Sequence, residues 1–172
     1  FLSSLIKSLE DGYDFGISNV TTRHYDKENF NDKHNTNSIF ENCHSNYDYS
    51  KAVIDQASMT FYSVFNLGSI GKYFDKYFYI KHKEDGVIHF LEGALNLEVA
   101  SELKAKYIST ESFLYQLHGK NLSRVTKVDD FIKDYKLYLK YSMKYIIFES
   151  DFNLYQKKYF FILLFKKIKY LV

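Results

Sequence analysis

Residues Ile88–Ile108 read IHFLEGALNLEVASELKAKYI, and how this stretch folds decides how the rest of the chain is read. Leu91, Leu95, Val99, Leu103 and Tyr107 recur at every fourth position, with Ile88 and Ala94 beside them. That is the one-sided stripe of a helix packed on a core. Glu92, Glu98, Glu102, Lys104 and Lys106 are interleaved, and Leu, Ala, Glu and Lys are all good helix formers. The spacing predicts a helix over 87–118, running on through Phe113, Leu114 and Leu117 to a stop at Gly119.

Working outward, Val128, Phe131, Ile132, Tyr135, Leu139, Ser142, Met143 and Ile146 repeat the helical pattern and predict a helix over 128–148. Thr126 is its N-cap candidate, and Asp129 suits the positive end of the helix dipole. A short helix over 152–170, apolar nearly all round, closes the chain. Upstream, Leu2, Leu5, Ile6, Leu9, Tyr13, Ile17 and Val20 predict a helix over 1–20. Gly12 and Gly16 weaken it by roughly 1 kcal/mol each, which argues for a close neighbour on that face or a frayed end. Arg23–Asn37 is polar and aperiodic and reads as a loop. A less clean stripe from Ile39 to Val64 predicts a helix over 38–65, ended by Asn66–Gly71 (NLGSIG). Tyr73–Ile80 could alternate as a strand. The reading adopted for Lys72–Gly86 is a long crossover, with no more than an incidental ribbon near Lys72–Lys83.

Composition narrows the class without naming a function. The 172 residues make one domain, 1–172, large enough for a real core. Proline is absent, which leaves room for uninterrupted helices. The 17 Tyr and 16 Phe are what A+T-rich coding produces, so they carry no functional reading of their own. A net charge of +2 creates no strong field, and nucleic acid is not an expected partner. Cys43 stands alone and reads as a core thiol. The longest apolar run, Tyr159–Phe165 between lysine pairs, is far short of the ~18 residues of a spanning helix, so no transmembrane span is expected. Phe1 in place of Met points to a processed product, a fragment or an incomplete gene model.

Four helices with a long connection between the second and third, followed by a short fifth, describe an all-α four-helix bundle of ferritin-like connectivity. Four landmarks then resemble the ferritin family, in particular light-chain-like subunits of insect secreted ferritins. They are Leu9-Glu10 with Tyr13-Asp14-Phe15, Tyr49-Ser50-Lys51 with Ile54-Asp55, Leu91-Glu92 with Ala94–Glu98, and Asp130-Phe131-Ile132. The resemblance covers roughly residues 5–158. It implies an iron-storage shell subunit of light-chain type, with iron as its cofactor. The subunit would form a homo-oligomer, or a hetero-oligomer with heavy-chain ferritin subunits. It would be secreted or in the secretory pathway if of the insect type, and cytoplasmic otherwise.

Of the family's paired-iron ligands, the resemblance carries over Glu98 and, with its register uncertain by one or two residues, Glu10. The positions that would complete the centre fall at or near Tyr47, Ser50 and Lys140, so it implies no intact ferroxidase site. Glu41, Asp48 and Asp55, spaced by seven, are mineral-nucleation candidates, or else a solvated helix face. The six histidines lack metal-ligand spacing and read as exposed or capping. Asn19-Val20-Thr21 and Asn121-Leu122-Ser123 are glycosylation sequons. The competing reading is a non-catalytic helical-bundle interaction protein whose aromatic-rich C-terminal segment docks a partner or a membrane surface. A third is a frame-disturbed gene product.

Overall fold

The computed structural model describes residues 2–25, 30–33, 38–56, 63–84, 91–117 and 128–168. They form a mixed α/β fold, not the expected all-α bundle. The elements in chain order are α1 (Leu2–Glu10), β1 (Phe15–Tyr25), β2 (Phe30–Lys33), a 3₁₀ turn (Ser38–Phe40), α2 (Asn46–Gln56) and β3 (Ser63–Phe65). After them come α3 (Leu67–Glu84), α4 (Leu91–Glu102), β4 (Ala105–Leu117) and α5 (Val128–Lys144). A π-helical segment (Tyr145–Glu149) and α6 (Leu154–Ile168) end the described chain.

The sheet corrects the first-helix expectation. Helix α1 stops after one short run because Gly12 sits at φ +87, a left-handed conformation that a Cβ disfavours. Its N–H donates to the Leu9 carbonyl and the Tyr13 N–H to the Ser8 carbonyl, the two bonds of a Schellman cap. Beyond the cap, FGISNVTT is rich in β-branched residues and forms the strand around which the sheet is built. β4 runs parallel to β1 along one edge, from Phe15↔Ala105 to His24↔Leu117. The other edge is shared by β3, antiparallel at Phe15–Ile17, and β2, antiparallel at Thr22–Tyr25. Part of the expected Arg23–Asn37 loop is therefore strand.

Two further helices are redrawn. The helix expected over 38–65 is the 3₁₀ turn, α2 and β3 in succession. The helix expected over 87–118 ends at Glu102, and its second half is β4. The change follows from composition: Tyr107, Ile108, Thr110 and Phe113 favour a pleated, half-buried surface, and β1 supplies the partner. The expected crossover at 72–86 is mostly α3. Asn66 opens that helix instead of closing the one before it: its side-chain oxygen accepts from Gly68 N–H and its carbonyl from Ser69 and Ile70. The helices expected over 128–148 and 152–170 stand, as α5 with its π segment and as α6.

Alternation along β1 gives the sheet two covered faces. Phe15 and Ile17 enter the main core with α2 to α6. Gly16 points the other way, against α1, where an added Cβ would collide with Ser8 Oγ and lie 3.2 Å from Leu5 Cδ2. At the start of the strand, the Asp14 carboxylate accepts from Lys104 N–H and from the Ser69 hydroxyl, tying β4 and α3 to β1. Helix α4 is buried at every position from Gly93 to Ala100. It carries apolar residues all round, as a helix surrounded by neighbours should.

Gly16→Ala therefore overpacks the α1–β1 contact and should cost about 1–3 kcal/mol. Gly12→Ala meets open space and costs about 1 kcal/mol through backbone strain alone. Denaturant midpoints of the two variants, with unchanged slopes, check the order.

Candidate functional site

Sequence Lys72-Tyr73-Phe74-Asp75-Lys76-Tyr77 repeats a Lys-Tyr pair one helical turn apart on α3. Glu98 and Glu102 are likewise one turn apart on α4. The helices run antiparallel, so each pair meets one glutamate. Lys76 Nζ donates to both Glu98 oxygens at 2.8 Å, and the Tyr77 hydroxyl to Glu98 at 3.0 Å. Tyr73 donates to Glu102 at 2.7 Å, with Lys72 Nζ at 3.4 Å. The π segment joins them: Glu149 accepts from Lys76 at 2.7 Å and pairs with Lys144 at 2.8 Å. Tyr145 donates to Glu102 and shares a short hydrogen bond with Ser101.

Charges respond to this packing. Burial, then the bond to Glu102, pushes the Tyr73 phenol up to about 12, and burial, then Glu98 beside it, raises the Tyr77 phenol well above its ordinary value. Burial works against the Lys76 ammonium, but hydrogen bonds to Glu149 and Glu98 hold it above the ordinary lysine value. Hydrogen bonds from Lys144 and Lys76 lower the Glu149 carboxyl. A cleft of about 360 Å³ opens beside this network, lined by Lys76, Lys83, Lys144, Tyr79, Tyr141 and Glu149 among others. With its carboxylates engaged by lysine and tyrosine, the network acts as a polar clamp between α3, α4 and the π segment.

The residues singled out in the sequence do not converge. Glu98 belongs to the clamp, whereas Glu10 is exposed at the end of α1. Among the described residues, no group of three or more His, Cys, Asp or Glu could hold a metal ion. Tyr47 packs against Phe152, Tyr159 and Phe160; Ser50 donates to the Asn46 carbonyl; Lys140 pairs with Glu84 at 2.7 Å. Glu41 lies in the turn before α2, so it does not share a helix with Asp48 and Asp55. Asp48 caps α2: its carboxylate accepts from the Ser45 hydroxyl, which lowers its pKa, and from the N–H groups of His44 and Ser45, while its own N–H donates to Ser45 Oγ. Asp55 is exposed.

Cys43 is half-buried, and its thiol, bonded to the Ile39 carbonyl, is pushed up to about 11 by burial, then by Asp48. Asn19 lies in β1, not at a helix end. Its amide donates to the Ser109 carbonyl where β4 bulges, and its oxygen accepts from Tyr107, so the folded chain does not present this sequon. The candidates Thr126 and Asn121 lie outside the described residues.

The other distinctive surface is α6. Phe160 and Leu164 are fully buried, and the ring of Tyr47 on α2 packs at a tilt against Phe160 with centroids 5.3 Å apart. The opposite side is also apolar: Tyr155 is 77% exposed, Ile162 46% and Phe165 56%. Their spacing of seven and three places them on one outward stripe. Lys157 reaches back to the Ile147 carbonyl at 3.0 Å, which sets exposed Ile147 and Phe148 beside the start of α6. Lys167 turns inward to the Asp55 carbonyl, while Lys158 and Lys166 stand in solvent. The sequence marked this segment as apolar all round, but it could not say which half the body would cover.

Comparison with known protein families, curated proteins and solved structures finds no match for this chain. Its function is therefore read from these surfaces.

A pH test separates clamp from core. Burial pushes the Glu92 carboxyl up to about 7, and buried Asp134 adds to the effect. A carboxyl that holds its proton more tightly when folded adds stability below its ordinary value of 4.5 and loses it as pH rises through about 7. Glu92→Gln should stabilise the protein by about 1–2 kcal/mol at pH 8 and leave pH 4 nearly unchanged, after allowance for partial solvent access. Lys76→Met should cost on the order of 2 kcal/mol at neutral pH, between the values for exposed and buried pairs. Urea unfolding at the two pH values measures both.

Proposed function

We propose that this protein is a non-catalytic interaction module that docks through the outer stripe of α6. The observation that carries the reading is that α6 has two apolar faces, and its own domain covers one. Helices at a protein surface ordinarily bury a single apolar stripe and turn a polar face outward. A contiguous exposed apolar surface flanked by charge marks an interaction site. Here Tyr155, Ile162 and Phe165, with Phe148 beside them, form that surface.

Iron storage would need acidic residues gathered at one place, and Glu98, Glu10, Asp48 and Asp55 are spread over three helices with Glu98 and Asp48 engaged in other bonds. The docking reading is therefore preferred. Among the described residues no helix is long and apolar enough to cross a membrane.

Substitution of the stripe tests the proposal. Ile162→Ser with Phe165→Ser removes exposed side chains, so unfolding free energy should stay within about 0.5 kcal/mol of wild type. A benzophenone amino acid placed at Lys158 should give adducts in cells, to protein or to lipid, lost in the double variant, whereas one at exposed Asp75 on α3 should give none. Equal adducts from both positions would remove the case for a docking face.

A further inference from the structure

We propose that the surface α6 docks on is an anionic lipid bilayer, with the Tyr155–Ile162–Phe165 stripe seated among the headgroups; this rests on the docking reading above. Charge decides the occupant. Residues 152–168 contain four lysines and no aspartate or glutamate. Lys158 and Lys166 stand in solvent, one inside the stripe and one at its margin. Of the acids nearby, Glu149 is engaged by Lys76 and Lys144, exposed Asp55 of α2 lies beside Lys167 at the far end of α6, and exposed Asp151 sits in the connecting segment.

A second copy is poorly matched to such a face. Two-fold pairing sets the same patch against itself, so Lys158 and Lys166 would face lysines, with Asp151 and Asp55 nearby but neither within the stripe. A bilayer carrying anionic lipid supplies what is missing: a continuous negative plane for the ammonium groups and an apolar layer just beneath it. Lysine stems are long enough to keep the charge at the headgroups while aromatic and aliphatic neighbours sink deeper. Tyr155, with an apolar ring and a polar hydroxyl, suits that boundary. Ile147 and Phe148 widen the apolar footprint at the N-terminal end of α6.

Each lysine beside an anionic surface strengthens binding by about fivefold, and binding fades as salt screens the charge. Reversing Lys158 and Lys166 should therefore weaken binding by more than about tenfold.

The experiment is co-sedimentation of the full chain with vesicles of phosphatidylcholine alone or of phosphatidylcholine containing phosphatidylserine. The protein has no tryptophan, so Ile162→Trp adds a single reporter of depth. The expected result is sedimentation with the anionic vesicles alone, release at about 1 M salt, and a blue shift of the introduced indole's emission on binding. Lys158→Glu with Lys166→Glu, and separately Ile162→Ser with Phe165→Ser, should each abolish it while keeping the wild-type circular dichroism. Equal binding to both vesicle types would overturn the assignment to anionic lipid. So would absence of vesicle binding together with stripe-dependent dimers in analytical ultracentrifugation, an outcome that leaves the docking reading standing with a second copy as partner. If vesicle binding, self-association and adducts in cells were all absent in wild type, both would fall.

Discussion

Helix α4 has no side left for water between Gly93 and Ala100, and most of the molecule answers that constraint. A helix buried all round must be enclosed, and α2, α3 and α5 close around it within the same core as Phe15 and Ile17 of the sheet. Apolar enclosure alone is tolerant of sliding. Glu98 is not, because a charge in such a place must be met by partners in one geometry. Lys76 and Tyr77 meet it, and the same arrangement one turn along, at Glu102, sets the alignment of α3 on α4 a second time. Lys76 then carries the constraint to Glu149, so the π segment is held by the same charge.

Asp14 performs the corresponding task for the sheet. Its two oxygens take a backbone donor from the start of β4 and a hydroxyl from the start of α3, while its own backbone bonds to Lys104 and Asn66. One side chain thus brings three elements to a common origin. The region beside it needs the close approach of α1, which only a residue without a side chain at position 16 permits.

Much of the helical layer was legible. The α5 stripe and the α6 apolar run were clear, and Leu91–Glu102 of the Ile88–Ile108 stretch is α4. What misled was arithmetic: residues four apart share a face in a helix, but they share one in a strand as well. Leu103 and Tyr107 therefore continued the pattern of Leu95 and Val99 although α4 had already ended at Glu102. The Glu10-Asp11-Gly12 run is itself a turn signal, and reading it would have ended α1 where the chain ends it. For α3 the aromatic run looked alternating, yet its buried residues Ile70, Tyr73, Tyr77 and Ile80 follow helical spacing. The clamp was half visible, with Glu98 marked as an acid among apolar neighbours. Its partner was not, because Lys76 reaches it only through the packing of two separate helices. The lysine-flanked apolar segment at α6 was visible as composition, and its outward stripe emerged only once α2 had claimed the other side.

The pairing of β1 with β4 sets a temporal order on the chain. Asn19 and the carbonyl it holds at Ser109 are separated by 90 positions, and the whole parallel edge of β1 shares that wide separation. During synthesis β1 leaves the ribosome with one edge unmatched until β4 has been made, and contacts so distant in sequence form late. For that interval the nascent protein exposes a strand of β-branched residues, the kind of edge that recruits stray chains. Early closure of the opposite edge by β2 and β3 leaves a single side to guard, which gives these two short strands a role in keeping the growing polypeptide from aggregating.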